Sequence, residues 1–531
     1  MSINGSSNGP SDEPLIAGID AGTSRIRALV FEPSGKLLAE GSAPTPTARP
    51  RSGWAEHDAE ALWRATVLAV REAVEGVDDA RRIAGLAVAS MGEAGVLLGR
   101  GGQPLAPVIA WFDSRTGAEA DWLAEHIGVE ALFAVNGLRL DRFFSLCKWL
   151  WLREHFPQAL ERADKWLHVA DYLAWRLGAE PVTDYSLASR TAVLDLESLS
   201  WSRSLMNTCG LDPRILQPLV ASGTRIGTVS EEAARATGLP RGCAIGAGGH
   251  DHIVGAMAAG AWRSGNLLDS LGTAEALLLA SEAPVFDRDF VERGYSQGAV
   301  VVAGGGQATA EAGTPATRSY YLVGAMTTSG ACVEWFRHSL AGGAPHAELI
   351  AEAQAHAPGS GGAYFLPHMR MGAPPHAQSS AAGALFGLTP EHTRGALFRA
   401  VLEGLAYDAR LVAEGMLEVS NSPAHGPVLA IGGNTRNELL MRIKASVFGR
   451  VVTIVDIPEA TSLGAALLGG LAAGVFDNVS QALDSLHVRR REIAPDPQHA
   501  RFYAVSFDQV YRQTPTALAD LHERARKRGH S

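Results

Sequence analysis

The sequence predicts an α/β protein with two similar lobes on either side of a central cleft. Short apolar runs typical of buried strands, such as 83–88 and 108–111, alternate with amphipathic helical runs such as 58–74. Two segments about half a chain apart, 15–36 and 266–279, each place a glycine turn with a hydroxyl side chain between two apolar runs. Two such hairpins indicate that each lobe contributes one of them to a shared cleft.

The hairpins have the chemistry of phosphate-binding turns. Asp20 can hold Mg²⁺, and backbone N–H groups at a glycine turn can approach phosphate oxygens closely. A strand that ends in two glycines at 428–437 opens a helix, whose N-terminus favours anions. The sequence therefore predicts a nucleotide site, with an ordinary hairpin as the alternative for either turn taken alone. The turn residues are Gly22, Thr23 and Ser24, then Gly272 and Thr273, then Gly432, Gly433 and Asn437.

Composition excludes several classes of protein. The 531 residues are 46% hydrophobic and 19% charged, as in soluble globular proteins, and are enough for two or three domains. A net charge of −10 gives no electrostatic footprint for nucleic acid or an anionic membrane. Four scattered cysteines lack C-x-x-C spacing and the N-terminus lacks a signal-peptide pattern, so we expect a cytoplasmic protein without disulfides. The apolar run 460–476 is too short to span a bilayer and predicts a buried helix.

We expect four parts along the chain. Residues 1–13 are rich in Ser, Asn, Gly and Pro, which predicts a disordered tail. Residues 14–257 form the first lobe, and 258–500 form the second, with an irregular insertion expected at 284–318. Residues 501–531 are predicted to form a C-terminal helical tail.

The three predicted phosphate-binding turns, in this order along the chain, resemble those of the ATPase fold of actin, hexokinase and Hsp70, which has two ribonuclease H-like lobes. Within that fold the chain resembles the FGGY carbohydrate kinases, among them the xylulokinases, fuculokinases and glycerol kinases. The resemblance covers about 16–475 and implies ATP and Mg²⁺, with a ketose (a pentulose or hexulose) or a polyol as acceptor. Segments that carry it are SGWAEHDAEALW at 52–63, PLAPVIAWFDSRT at 104–116, DYLAWRLGAEPVTDYSLASRT at 171–191, GGHDH at 248–252 and RAVLEGLAYDAR at 399–410.

The resemblance assigns the nucleotide end of the cleft. It implies that Asp20 orders Mg²⁺ and that the first hairpin binds phosphate. Arg27 occupies a position where relatives carry Arg or Lys, with a surface salt bridge as the alternative role. No Walker A motif is present, so a P-loop kinase is excluded. The residues assigned to ATP are Gly22, Thr23, Ser24, Arg27, Gly272, Thr273, Gly330, Gly432, Gly433 and Asn437.

Asp251 matches the family's catalytic base, which would accept the proton of the attacking hydroxyl. Two alternatives stand beside this role. Asp251 could cap a helix N-terminus, or it could form a metal site with His250 and His252, although adjacent residues supply too few ligands for that.

On the sugar side the resemblance assigns Glu93, Trp111, Asp113 and His252. Glu93 stands where glycerol kinases show Glu and xylulose kinases show His, and a carboxylate hydrogen-bonds vicinal hydroxyls well. An exposed turn glutamate is the alternative reading of Glu93.

One segment departs from the family pattern. Many relatives have a Glu-Arg-x-Pro run where this chain has Gly372-Ala373, and Arg370 lies at a shifted position. If the run contacts nucleotide or substrate, specificity is expected to be unusual.

The predicted function is ATP-dependent phosphorylation of a sugar or polyol. The rival is a non-catalytic ATP-binding switch or chaperone of the same superfold, which would have no reason to keep Asp251 and the sugar-side residues. A sugar-sensing repressor is disfavoured because no helix-turn-helix pattern is present. The expected partners are the acceptor and ATP, with no nucleic acid or membrane, and a homodimer is an open alternative to a monomer.

Overall fold

The computed structural model describes residues 13–263, 265–304, 316–420 and 426–529. Its strands, numbered β1 to β23 in chain order, are Leu15–Ala21, Arg25–Phe31, Leu37–Pro44, Glu56–His57, Ile83–Ser90, Gly95–Gly99, Val108–Ile109, Ala163–His168, Thr183–Asp184, Leu194–Asp195, Ser200–Trp201, Leu219–Val220, Arg225–Thr228, Ala244–His250, Leu267–Leu271, Glu275–Ser281, Ser296–Ala303, Ala316–Met326, Tyr364–Leu366, Ala384–Phe386, Val428–Ile431, Val452–Val455 and Arg490–Ile493. Its α-helices, α1 to α19, are Ala59–Glu75, Gly117–His126, Val129–Asn136, Ser145–His155, Pro157–Arg162, Val169–Leu177, Tyr185–Ala188, Arg203–Thr208, Glu231–Thr237, Asp251–Ala258, Arg288–Glu292, Gly330–Ser339, His346–Gln354, Arg394–Ser420, Glu438–Phe448, Ala460–Ala473, Val479–Asp484, Pro497–Gln509 and Thr514–Gly529.

Two mixed sheets repeat one strand plan. The first has the order β13-β14-β5-β1-β2-β3, and the second has the order β17-β18-β16-β15-β21-β22-β23. In each sheet an antiparallel hairpin (β1/β2 or β15/β16) is extended on one side by a third antiparallel strand. On the other side it is extended by two parallel strands. The predicted α/β architecture of two similar lobes is confirmed, although the sequence shows no internal repeat.

Helix α16 lies in the second half of the sequence but packs directly on the first sheet. Glycines on adjacent strands allow this contact: a Cβ placed at Gly18 would lie 1.8 Å from the carbonyl oxygen of Ser462. A Cβ at Gly85 would lie 2.2 Å from the carbonyl oxygen of Gly469, and one at Gly246 also meets the helix backbone. Any side chain at these positions would force the helix away from the sheet, so the approach requires glycine.

Helices α10 and α16 fill the space between the two sheets. One apolar cluster joins them to Ile16 of the first sheet and to Leu268 and Leu278 of the second. The predicted buried helix at 460–476 is therefore confirmed as α16, which is rich in Ala and Gly because backbones approach it closely. Both helices begin at the cleft, α10 with Asp251 and α16 directly after Glu459.

The prediction of an irregular insertion at 284–318 is wrong for the described part of that segment. It contains α11 and the edge strand β17, which pairs along its length with β18. Small residues occur in β17 because neighbouring side chains cover it: a Cβ at Gly298 would lie 2.3 Å from the hydroxyl of Tyr321. Gly305 and Gly306 of this segment, and residues 1–12 of the predicted tail, lie outside the described residues.

Three further features are visible in the described ranges. The segment 399–410, which carried the family resemblance, lies in the long helix α14, and this helix is buried along most of its length. The four cysteines are buried and free. No helix in this part of the chain has the length and apolar character needed to cross a membrane.

Candidate active site

A cavity of about 540 Å³ lies between the two sheets. The β5–β6 connection, the tip of the first hairpin and the start of α10 line one side, and strands β15 to β18 line the other. The polar and aromatic residues that line it are Thr23, Glu93, Trp111, Phe143, Arg190, His250, Asp251, His252, Ser270, Ser296, Tyr321 and Thr461.

Asp251 is the first residue of α10, directly after β14. The helix N-cap is His250, so the alternative of an N-cap role for Asp251 is wrong. Asp251 Oδ1 accepts a hydrogen bond from the backbone N–H of His252 at 2.7 Å and lies 3.3 Å from His250 Nε2. Burial raises the pKa of the Asp251 carboxyl, and the nearby His252 opposes this effect. Within the described ranges, 250–252 forms no group of metal ligands.

Buried polar contacts fix the position of Asp251. The backbone N–H of His250 donates to Ser186 Oγ at 2.8 Å, and Ser186 Oγ donates to Asp184 Oδ2 at 2.8 Å. Burial lowers the pKa of His250 well below its usual value, so its ring is uncharged. A neutral ring carries one N–H, which can donate from Nε2 to Asp251 and orient the carboxylate.

Asp20 is electrostatically coupled to Asp251. Its Oδ1 is buried without a hydrogen-bond partner among the described residues. Burial, and secondly the charge of Asp251, raise the pKa of Asp20 to about 7. Arg27 forms an ion pair with Glu459, as the salt-bridge alternative expected, so its contact with phosphate stays a prediction. Mg²⁺ prefers oxygen ligands, and the unpaired, buried carboxylate oxygen of Asp20 fits that preference.

The second hairpin meets two other predicted nucleotide segments. The Gly272 carbonyl accepts hydrogen bonds from the backbone N–H of Gly330 at 3.2 Å and from Asn434 Nδ2 at 2.9 Å. Gly432 packs so closely on the hairpin that a Cβ there would lie 2.4 Å from the carbonyl oxygen of Leu271. The structure therefore brings the hairpin, the start of α12 and the turn after β21 together, outside the cavity.

The remaining predicted nucleotide residues lie beside this group. Thr273 accepts backbone hydrogen bonds from the start of α12. Gly433 begins the 3₁₀ turn Gly433–Arg436 and has open space on its Cβ side. Asn437 caps α15, because its side chain accepts from the N–H of Leu440 at 3.1 Å. In the first hairpin, Thr23 lines the cavity, whereas Gly22 and Ser24 lie next to it in the turn.

A buried charge network supports the second hairpin, and sequence reasoning missed it. Lys444 Nζ donates to Asp269 Oδ2 at 2.7 Å and to Glu275 Oε1 at 2.6 Å. Ser329 Oγ donates to Glu275 Oε2 at 2.6 Å. Burial, and secondly Asp269, raise the pKa of Glu275 to about 8. A lysine in an apolar helical run was the available signal, because such a residue needs a buried partner.

Glu93 is buried in the β5–β6 connection that lines the cavity, with 5% of its surface exposed, so the alternative of an exposed turn glutamate is wrong. Its backbone has φ 59°, a left-handed conformation that is costly for a residue with a Cβ. Arg190 Nε donates to Glu93 Oε1 at 2.6 Å. Lys148 Nζ and Ser145 Oγ donate to the Glu93 carbonyl at 2.9 and 3.0 Å. These contacts hold Glu93 in a strained but fixed position.

The other sugar-side predictions differ in their placement. Trp111 and His252 line the cavity, and Trp111 Nε1 donates to Thr23 Oγ1 at 2.9 Å. Asp113 does not line it. Both Asp113 oxygens are occupied by Arg115, at 2.8 and 2.9 Å, and by the N–H of Ala55 at 2.5 Å. We therefore correct the expected contact between Asp113 and the sugar. Both carboxylate oxygens already accept hydrogen bonds, so Asp113 anchors Arg115 instead.

The sequence analysis also assigned no role in the site to Arg190. It belongs to the segment 171–191 that carried the family resemblance, but no chemistry was assigned to it. In the structure, Arg190 NH1 lies 3.2 Å from Ser296 Oγ in the second sheet, so the guanidinium connects the two lobes.

The segment at Gly372 that departs from the family pattern lies away from the cavity. The Gly372 N–H donates to the Gln378 carbonyl at 2.9 Å, and Arg370 is exposed.

Comparison with known proteins identifies the family. Residues 15–258 match the N-terminal domain of the FGGY family of carbohydrate kinases, and residues 267–473 match its C-terminal domain. The chain is 28% identical over 508 residues to a xylulose kinase of Bacillus subtilis, covering 96% of this chain and 98% of that protein. It is 30% identical over 490 residues to a glycerol kinase of Methylorubrum extorquens, covering 90% and 93%.

A solved structure agrees. The crystal structure of xylulose kinase from Rhodospirillum rubrum matches with a TM-score of 0.82 at 28% identity, covering 96% of this chain and 99% of that one. The expected two-lobed kinase fold is thereby confirmed, and a chaperone-like switch is not favoured. The chain belongs to the FGGY family of carbohydrate kinases and phosphorylates a sugar or polyol with ATP.

Proposed function

We propose that this enzyme transfers the γ-phosphate of ATP to a hydroxyl of an uncharged ketose or polyol, with Asp251 as the general base. The position of Asp251 carries the proposal. It is a buried carboxylate in the cavity at the start of α10, and burial raises its pKa. A raised pKa makes the carboxylate a better proton acceptor than an exposed Asp, as base catalysis at neutral pH requires.

The acceptor would bind between Asp251 and Glu93. The carboxylate of Glu93 can accept hydrogen bonds from hydroxyls, and the ring of Trp111 can cover the C–H groups of a sugar. His252 lines the same space and offers a further polar contact. Asp113 would act indirectly, because it anchors Arg115 behind this end of the site.

ATP would lie along the cleft with its phosphates between the two hairpins. Backbone N–H groups at Thr23 and Ser24 would face the transferred phosphate, whereas the N–H of Gly22 donates to the Arg25 carbonyl at 3.1 Å and shapes the turn. The group formed by Gly272, Thr273, Gly330, Gly432, Gly433 and Asn437 would bind the rest of the nucleotide. Arg27 could reach a phosphate if it exchanged its partner Glu459.

Asp20 would hold Mg²⁺, which supplies positive charge to phosphate oxygens when it is bound. The protein's own residues perform the other steps. Asp251 takes the proton from the acceptor hydroxyl, and the uncharged His250 keeps the Asp251 carboxylate oriented. Closure of the lobes would exclude water, which otherwise competes with the acceptor for the phosphoryl group.

The compartment and assembly are also proposals. Four free, buried cysteines suit a reducing cytoplasm. We propose the small acceptor and ATP as its partners, and a homodimer remains the alternative to a monomer.

The test is ADP release measured across a panel of pentuloses, hexuloses, their deoxy forms and polyols. Asp251→Asn should lower kcat by about 10²–10⁴-fold on the best acceptor, while ATP binding persists. Asp408→Asn is the matched control, because Asp408 is also buried but pairs with His368 away from the cavity. An Asp251→Asn protein that folds, binds both ligands and turns over at the wild-type rate would exclude Asp251 as the base.

A further inference from the structure

A buried ion pair lines the cavity at the β5–β6 connection. Arg190 Nε lies 2.6 Å from Glu93 Oε1, and 9% of Arg190 and 5% of Glu93 is exposed. The guanidinium also lies 3.2 Å from Ser296 Oγ and has the Tyr321 phenol beside it. The ring of Phe144 packs on it at 5.1 Å. Glu93 and Arg190 both line the cavity, so a bound acceptor would face the pair directly.

The pair is locked in place. A Cβ at Gly92 would lie 3.1 Å from both Arg190 Cγ and His250 Nε2, so the loop before Glu93 presses against both side chains. Glu93 is also held through its carbonyl by Lys148 and Ser145. An acceptor therefore meets a preorganised pair, which cannot open without loss of several buried contacts.

The charges around this end of the cavity are unfavourable for an anion. Glu93 and Asp251 are the acidic lining residues, and burial keeps His250 uncharged. Arg190 is the only arginine or lysine among the described lining residues, and its Nε and NH1 already donate to Glu93 and Ser296. Lys148 lies behind Glu93 and donates to its carbonyl. His252 is the remaining lining group that can carry positive charge.

We propose that the Glu93–Arg190 pair is a charge filter, which admits uncharged ketoses and polyols and rejects acceptors that carry a carboxylate. The inference rests on the proposed function and specifies its substrate class. A carboxylate entering the site would find the charge of Arg190 already paired with Glu93 and would approach Glu93 and Asp251 in a medium of low dielectric. Hydroxyl groups instead can donate to the Glu93 carboxylate. The negative charges of Glu93 and Asp251 repel carboxylate-bearing acceptors, and specificity often depends on such repulsion of the wrong ligand.

The proposal makes a gain-of-binding prediction, which a purely structural role for Glu93 would not produce. Glu93→Gln keeps the size of the side chain but removes its charge, so the guanidinium is released towards the cavity. Gluconate is the anionic probe, and glucitol is the uncharged probe of equal carbon number. Calorimetry at constant ionic strength should show the ratio of gluconate to glucitol affinity rising about tenfold to a hundredfold in Glu93→Gln, the range for a charged hydrogen bond.

Two further variants separate this effect from a general loosening of the site. In the Glu93→Gln, Arg190→Met double variant the gain should disappear, because the released cation is gone. Glu403→Gln is the matched control: it removes one carboxylate from the buried Arg399–Glu403 pair, 2.8 Å apart in α14 and outside the cavity. It should leave the affinity ratio within twofold of wild type, whatever its effect on melting temperature.

The proposal is overturned if the wild-type protein binds gluconate as tightly as Glu93→Gln does, or if folded Glu93→Gln shows no gain. It is also overturned if the gain survives the loss of Arg190. Because these measurements need no turnover, they decide the charge filter alone, whereas the acceptor panel decides the proposed function.

Discussion

Asp20 links the phosphate hairpin to protein stability in a way that can be measured without substrate. Burial and the charge of Asp251 raise its pKa from 3.8 to about 7 in the metal-free protein. The folded state therefore binds a proton more tightly than the unfolded state, and stability must fall as pH rises through this interval. Between pH 5 and pH 8 the linkage amounts to at most about 3 kcal/mol of unfolding free energy.

Asp20→Asn removes the titrating group and should remove this loss. We expect urea unfolding in EDTA at pH 5, 6, 7 and 8 to show that the free energy of unfolding of the variant, relative to wild type, increases by about 1–3 kcal/mol as pH rises. Asp520→Asn, an exposed position on α19, is the control and should follow the wild-type curve. Mg²⁺ should stabilise wild type at pH 8 more than Asp20→Asn. Parallel curves for wild type and Asp20→Asn in EDTA would refute the raised pKa of Asp20.

Three further predictions concern packing, motion and the tail. Gly85→Ala should destabilise the protein by about 1–3 kcal/mol or more in chemical unfolding, because its Cβ would lie 2.2 Å from the carbonyl oxygen of Gly469. Gly117→Ala, which meets nothing within 4 Å, should be neutral or slightly stabilising, and an equal loss in both variants would argue against the contact. Acceptor together with a non-hydrolysable ATP analogue should lower the radius of gyration in solution scattering; superimposed curves with both ligands bound would exclude lobe closure. Deletion of residues 1–12 should leave melting temperature and kcat unchanged, and a large loss of either would show that the tail packs on the enzyme.

The sequence was sufficient for the local elements that bind phosphate. Both hairpins, with Gly22 and Gly272 at their tips, follow from a glycine turn between apolar runs, and the structure has strands on either side of each. Asp251 and Glu93 were found because a motif surrounds each of them. The two hairpins predicted two similar lobes, but the strand order that the two sheets share was not visible, since strand order is a property of pairing and leaves no repeat in the residues.

Long-range partners were the part that could not be predicted. Arg190 and Glu93 are 97 positions apart, and Lys444 and Glu275 are 169 apart, so no local pattern connects them. Asp113 is the exception, because its partner Arg115 is only two positions away: the family match placed Asp113 at the sugar, although this arginine saturates it. Local spacing predicts an element and its chemistry, whereas the choice of partner depends on how distant elements pack.

The packing of α16 on the first sheet has a consequence for synthesis of the chain. The strands that receive this helix are complete at His250, whereas α16 ends at Ala473. At about 5–20 residues per second, the ribosome needs roughly 10–45 s to make the intervening chain. Throughout that time the glycine-lined face of the nascent first lobe has no helix to cover it. The first lobe can therefore be consolidated only after the second lobe has been translated. This waiting period is the stage of folding most exposed to aggregation and most dependent on chaperones.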